Sequence, residues 1–362
     1  MKKLTLLAGT ALVLSIPIHV SAHENDSTAP HAKDHAPIGV MADHRHKKGE
    51  VMFSYRYMTM DMNGSRDGTN QPSPETIATT VPNIFFGAPG QPPTLRVVPE
   101  QMKMDMHMVG AMYGLSDRVT LMGMGSYLTN DMDHTTFQGG MGTNILGGFN
   151  TKSEGFGDTT LAAIIGLDDG STKAREVNLN LGVSIPTGSN TEKDQILTPM
   201  GDTPSPRLPY PMQLGSGTFD LKSALTYSGR GDKFGWGAQS SARIPLEKNK
   251  EGYKLGSRFE ATAWLAYEPD YWISFSGRLK ATSQGDISGS DAAIMAPVQT
   301  ADPANHGGEQ VQALFGINLA GQSGWLRGQR LAFEIGVPIY RDLNGPQLET
   351  DSVLTIGWQK AF

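Results

Sequence analysis

The chain has 362 residues, 38% of them hydrophobic, with 43 glycines, no cysteine and a formal net charge of -6. That composition excludes a thiolate metal site and a cysteine nucleophile, and with no basic block it offers nothing suited to nucleic acid. Abundant glycine and the lack of any sustained helical period point away from an ordinary globular enzyme of this length.

The chain opens with Lys2 and Lys3, an apolar run from Leu4 to Val20, and the small residues Ser21 and Ala22. This is the layout of a secretory signal peptide over residues 1–22, expected to be removed after Ala22. Residues 23–49 follow as a His-rich segment expected in the periplasm, carrying His23, His31, His35, His44 and His46. Beyond Ala22 no stretch of eighteen or more apolar residues is available for a transmembrane helix.

From residue 50 onward the repeating unit is a run of about ten alternating residues, the length a tilted strand needs to cross a bilayer. Twelve such runs are predicted, near 50–60, 102–114, 118–128, 157–167, 175–186, 217–228, 233–245, 256–268, 270–281, 309–320, 329–340 and 351–362. The connections alternate: Leu115 to Asp117, Gly229 to Asp232 and Pro269 are tight, whereas Asp61 to Gln101, Thr129 to Phe156, Thr187 to Ser216 and Ala281 to Gly308 are long. Short periplasmic turns and long extracellular loops give that alternation. The Pro-rich stretch from Pro199 to Pro211 reads as a stiff loop, over or in the mouth.

Faces agree with this reading. Val177, Leu179, Leu181, Val183 and Ile185 share one side of a run, as do Leu331, Phe333, Ile335, Val337 and Ile339. Lipid would meet these sets and water the opposite ones. Tyr113, Tyr127, Phe234, Trp236, Tyr267, Tyr271 and Trp358 fall on the greasy side near strand ends, as an interfacial girdle would. The last run ends on Phe362, like the closing strand that outer-membrane barrels present to the barrel assembly machinery. The expected fold is therefore all-β: a transmembrane antiparallel up-and-down barrel of about 12 strands over residues 50–362, set in outer-membrane lipid.

The 18 methionines are concentrated early in the barrel. Met58, Met60 and Met62, then Met102, Met104, Met106, Met108 and Met112, then Met122 and Met124 alternate along three neighbouring runs. With Tyr55, Tyr57, Tyr113 and Tyr127 toward lipid, all ten face the lumen. Lys103, Asp105 and His107 then point outward, which requires that part of the second run to rise above the membrane. Candidates for the channel lining are Arg56, Met58, Met60, Met106, Met108, Met122 and Met124. Pliable thioethers line a path for apolar solutes, and they are equally soft donors for copper. The alternative metal set is His23, His31, His35, His44, His46, Met104, Asp133 and His134. No Gly-x-Ser-x-Gly elbow, phosphate-binding Gly-rich loop or His-Glu-x-x-His helix occurs, so no enzyme and no cofactor is expected, copper apart.

The segment His35-Ala-Pro-Ile-Gly-Val-Met-Ala-Asp-His44, continuing through Lys48-Gly49-Glu50 and Tyr55-Arg56-Tyr57-Met58, together with Arg207-Leu-Pro-Tyr-Pro-Met-Gln-Leu-Gly-Ser-Gly217, resembles a family of bacterial outer-membrane proteins grouped under meta-pathway phenol degradation. The resemblance covers nearly all of the chain after residue 22. It implies an outer-membrane channel for small, often aromatic, solutes, and carries no established set of site residues.

Overall fold

Alternating strands can sit in lipid only when each one finds a partner on both sides, and the sheet of this protein closes on itself to provide that. The computed structural model describes residues 30–168 and 175–362; the expected leader and His23 lie outside the described residues. The strands are β1 (Val51–Gly68), β2 (Val97–Ser116), β3 (Val119–Phe137), β4 (Ile145–Phe156), β5 (Thr159–Gly166), β6 (Arg175–Ile185), β7 (Asp220–Arg230), β8 (Phe234–Pro245), β9 (Tyr253–Lys254), β10 (Arg258–Asp270), β11 (Ile273–Gln284), β12 (Ser288–Gly289), β13 (Gly308–Ala320) and β14 (Gln329–Ala361).

Eleven of them form a closed antiparallel ring, in which β2 pairs with both β1 and β3, and β4 extends the sheet along the far half of β3. β9 and β12 make a separate small ribbon in the loops. Two features reconcile this with twelve membrane crossings. β4 and β5 pair with successive halves of β3, so they are one crossing interrupted at residues 157–158. β14, at 33 residues, pairs with β13 through its first half and β1 through its second. It folds back at Asn344-Gly345: Ala361 N donates to Gly328 O at 3.0 Å and Arg341 Nη1 to Glu349 at 2.6 Å, and Gly345 takes φ 63.

The predicted faces hold. Leu331, Ile335, Val337 and Ile339 are exposed on the outside, whereas Ala332 and Glu334 between them are buried. All seven predicted girdle aromatics are exposed. On β10, Tyr267 marks the short-turn edge and the exposed Phe259 the other. Eight residues apart, they lie roughly 27 Å apart along the strand and about 20 Å once tilt is allowed, close to the height of an outer-membrane apolar band.

Several predicted boundaries fall short: besides β1 and β3, β2 begins at Val97, β4 lies wholly in a stretch expected as loop, and β14 continues through residues 341–350. β1 continues to Gly68 and β3 to Phe137, so stretches expected as loop after residues 60 and 128 are strand. At 18, 20 and 19 residues, β1 to β3 are about twice the length a crossing needs. The surplus stands beyond the membrane, where no lipid-facing alternation is required. There the outward face of β2 carries Lys103 and Asp105, with the Tyr57 hydroxyl donating to Asp105 at 2.7 Å. His107, lower on the same face, is met by the Tyr55 hydroxyl at 2.7 Å.

The Pro-rich loop folds into the mouth. Leu208 and Met212 are fully buried against Met102 and Met132, with Met62 and Met104 packed around them. Tyr210 joins Val97, Tyr253, Ile287, Ile294 and Val298 in a second apolar cluster that knits the long loops together. A short helix α1 (Pro74–Thr80) buries Ile77 and Ala78 against Leu95, Val98 and Phe137. The lumen is thus capped at its long-loop end.

Candidate functional site

The other end of the lumen is filled by the segment expected to lie in the periplasm. Residues 30–49 enter the barrel from the short-turn side. Ala36, Ile38, Val40 and Ala42 are buried. An extended segment inside a barrel must have its backbone groups satisfied by the wall, and barrel side chains do this. Gln239 donates to Met41 O at 2.8 Å, Asn178 to Asp43 O at 3.2 Å, Asn318 to His35 O at 3.3 Å, and Arg330 to Ala36 O. Near the opening, Lys33 and His31 both meet Glu268, the latter at 2.8 Å. His46 N donates to Thr120 Oγ1 at 2.9 Å. The wall is also shaped to the segment: a Cβ at Gly357 would stand 2.6 Å from Ile38, and one at Gly235 2.7 Å from the carbonyl of Lys33.

Within the segment, residues 36–43 form a loop that reaches deepest. Val40 N donates to Pro37 O at 2.9 Å, and Ala36 N to Asp43 at 2.9 Å across the base. Burial disfavours ionised Asp43, but the His44 imidazole beside it, through charge and a 2.8 Å hydrogen bond, holds the carboxyl well below the usual range. Burial and Arg330 keep His35 well below the ordinary imidazole value, so its ring is neutral.

Between this plug and the loop cap lies a cavity of about 340 Å³, lined by Gly39, Met41, Met122, Met124, Ala162, Lys222, Arg243, Arg258 and Glu260 among others. That volume falls in the range of small-molecule sites, roughly 300–1,000 Å³. Its two walls differ, and strand register shows why. Met122 on β3 stands opposite Ala162 on β5, which faces Gly182 on β6, which faces Lys222 on β7. Lys222 faces Arg243 on β8, and Arg243 faces Arg258 on β10. One rung of the barrel therefore runs from thioether to small residues to three consecutive cations. Lys222 Nζ donates to Thr160 Oγ1 at 2.8 Å, Arg258 pairs with Glu260 at 2.8 Å, and Arg243 lies 3.8 Å from Asp220.

The predicted lining residues are divided by this geometry. All of them point inward, as parity required. Met122 and Met124 line the cavity. Arg56, Met58, Met60, Met106 and Met108 lie on β1 and β2, where Arg56 faces Met108 and Met58 faces Met106 across the strand pair; they stand outside the cavity lining, and Arg56 donates instead to Met41 Sδ of the plug. The sequence reading missed Lys222, Arg243 and Arg258, whose signal was a polar-face cation on each of three consecutive runs.

The alternative metal set does not come together. His134 is stacked on Phe149, rings 4.5 Å apart, while its neighbour Asp133 accepts from Asn150 on the outside of the barrel. Adjacent strand residues face opposite sides, so the two cannot hold one ion. Fourteen residues of β3 separate Thr120, which holds His46, from His134, or roughly 45 Å. Met104 is committed to the apolar cluster around Leu208 and Met212. His31 stands apart at Glu268 and Tyr271. Among the described members of the set, His35, His44 and His46 are gathered, with ring centroids 4.9 and 5.0 Å apart in that order.

A family model described as "Putative MetA-pathway of phenol degradation" matches residues 110–294, which is 185 of the 362 residues. The chain belongs to this family. No curated protein matches the sequence. Among solved structures, an outer-membrane channel from Pseudomonas putida F1 is similar at a TM-score of 0.55 and 14% identity, covering 89% of this chain and 99% of that one. A Pseudomonas aeruginosa FadL homologue gives 0.41 and 10%, covering 86% and 90%, and the Pseudomonas putida toluene transporter 0.41 and 7%, covering 88% and 91%. The first of these shows the same outer-membrane barrel fold in this family member.

One loop contact gives the cap a pH dependence. His306 packs half-buried against Tyr210, rings 5.4 Å apart, and its Nε2 donates to Thr300 O at 3.1 Å. Burial pushes its imidazole down to about 4. A depressed histidine leaves the open cap binding more protons, so the closed cap is at full strength above about pH 6.5 and weakens as pH falls toward 4. Protease cleavage within the loops should accelerate over that interval, and His306→Phe should remove this part of the pH dependence.

Proposed function

We propose that this protein is a gated outer-membrane channel for small solutes with an apolar or aromatic body and an anionic group, such as aromatic carboxylates. The observation that supports this most is the row Lys222, Arg243 and Arg258, at directly facing positions on three neighbouring strands, opposite Met122 and Met124. Like charges placed directly across strands destabilise a sheet; Glu260 on Arg258 and Asp220 near Arg243 offset part of this repulsion, and Lys222, which donates to the Thr160 hydroxyl, leaves the row with more cations than these carboxylates balance. An anion in the cavity would relieve the repulsion, while the pliable methionine wall accepts an irregular apolar body. Family membership and the barrel fold, shared with the P. putida F1 channel, are consistent with transport. Export by way of the 1–22 leader and assembly through the terminal Phe362 strand belong to this reading.

The test is the reversal potential of the protein in a planar bilayer under a salt gradient, with benzoate and then benzyl alcohol added. Anion preference and current block by benzoate, with little effect of benzyl alcohol, are expected. Lys222→Met combined with Arg243→Met should abolish both, since it removes two of the three adjacent cations while keeping bulk. Cation preference in the unmodified protein, or equal block by both compounds, would refute the proposal.

A further inference from the structure

The three gathered histidines sit at the base of the plug and line a second cavity of about 190 Å³ at the short-turn end, together with Glu50, Met52, Arg330 and Gln359. Their nitrogen atoms are unusual. His44 donates Nδ1–H to Asp43 at 2.8 Å, and its buried Nε2 has no partner. His46 Nδ1 lies 3.3 Å from Glu50, and its buried Nε2 likewise has none. His35 Nδ1 is a third buried, unpartnered nitrogen. Ligand atoms of His35, Asp43 and His44 all lie within 4.8 Å of one another; His46 stands outside that group, with its ring centroid 5.0 Å from that of His44. A buried polar atom left without a partner costs free energy, and three in one cluster demand a common explanation.

We propose that one borderline divalent metal ion, zinc or copper(II), is held by His35 and His44, with the adjacent His46 turning in as the third imidazole, and that this ion clasps the plug. The arrangement has the form such sites take. A carboxylate behind an imidazole fixes the ring through one nitrogen and leaves the other as donor, and here Asp43 serves His44 while Glu50 serves His46. Three imidazoles with an open fourth position suit zinc, and imidazole donors bind copper(II) as well. Arg330 does not compete for the position, because its guanidinium is committed to Asn318, Gln359 and Ala36 O.

The consequence follows from chain topology. His35 and His44 flank the 36–43 loop, the part of the plug that reaches deepest into the lumen. An ion joining them closes that loop at its base and removes conformations in which it could unfurl. Metal would therefore hold the channel shut, independently of which solute it carries.

The test uses the refolded full-length mature protein, with the metal ion alone as the probe. Equilibrium dialysis against zinc should give one ion per chain, and copper(II) electron paramagnetic resonance should show hyperfine coupling to imidazole nitrogens. His35→Ala with His44→Ala removes two of the three donors and should abolish stoichiometric binding, and micromolar zinc should lengthen closed times in the unmodified channel but not in this variant. Stoichiometry well below one in the unmodified protein would overturn the proposal without recourse to any variant. So would a copper spectrum unchanged in the double variant, which would place the ion at His23 or His31 instead.

Discussion

Removing residues 30–46 is expected to turn an intermittently open channel into a steadily conducting one, with single-channel conductance rising on the order of tenfold. A barrel of twelve crossings encloses a lumen that its own side chains only partly fill, and here the remainder is occupied by the plug below and by Leu208, Tyr210 and Met212 above. A deletion also removes hydrogen bonds to Gln239, Asn178 and Asn318, so a milder variant is a useful companion. Gly39 lies against the buried Arg278–Glu334 pair, and a Cβ there would fall inside the guanidinium and carboxylate. Gly39→Val should therefore dislodge the loop while leaving the barrel wall intact. It should raise the open probability in planar bilayers, though by less than the deletion does. Unchanged conductance in both variants would mean that the plug does not obstruct the path.

The second large effect concerns stability. Glu334→Ala should destabilise the barrel by about 3–5 kcal/mol, the usual cost of orphaning one partner of a buried ion pair. Arg278 and Glu334 have side chains only 4% and 2% exposed, and Arg278 Nε donates to Glu334 at 3.1 Å. Removing the carboxylate strands the Arg278 guanidinium and also takes a counter-charge from Arg56 and Arg330, both buried. Chemical denaturation of the folded protein in detergent, followed by the heat-modifiable shift on gels, would measure the loss. The double substitution Arg278→Met with Glu334→Leu should recover most of it, because apolar isosteres of a buried pair need no desolvation compensation.

Much of the fold was legible in the chain because lipid imposes period two on every crossing. The alternation of Leu331 to Ile339 against Ala332 and Glu334 needed no structure to assign. The parity of the methionines was legible once Tyr55, Tyr113 and Tyr127 were set toward lipid, since the opposite assignment sends the methionines to lipid and Lys103, Asp105 and His107 into the lumen. Legibility stopped where lipid stops. The extensions of β1 and β3 past residues 60 and 128 stand in water on one side and cap a lumen on the other, so Asp131, Asp133 and Lys152 on the outside broke the pattern that defined a run.

The site was harder. Histidine density in residues 23–49 suggested a solvated periplasmic arm, whereas Ala36, Ile38, Val40 and Ala42 are the apolar minority that goes inside. No local pattern distinguishes a segment that fills a barrel from one that hangs below it. The partners are Asn178, Gln239, Asn318 and Arg330, scattered over β6, β8, β13 and β14. The cationic row was invisible for a related reason. Lys222, Arg243 and Arg258 each look like a single permissible lumen charge, and only strand register makes them neighbours.

The most direct test of the account is a crystal structure of the protein soaked with 4-bromobenzoate, read by bromine anomalous scattering. The account predicts one peak in the lumen between plug and loop cap, with the bromine toward Met122 and Met124 and the carboxylate against Lys222, Arg243 and Arg258. Bromine only in the detergent belt or among the external loops, with the lumen empty, would contradict it.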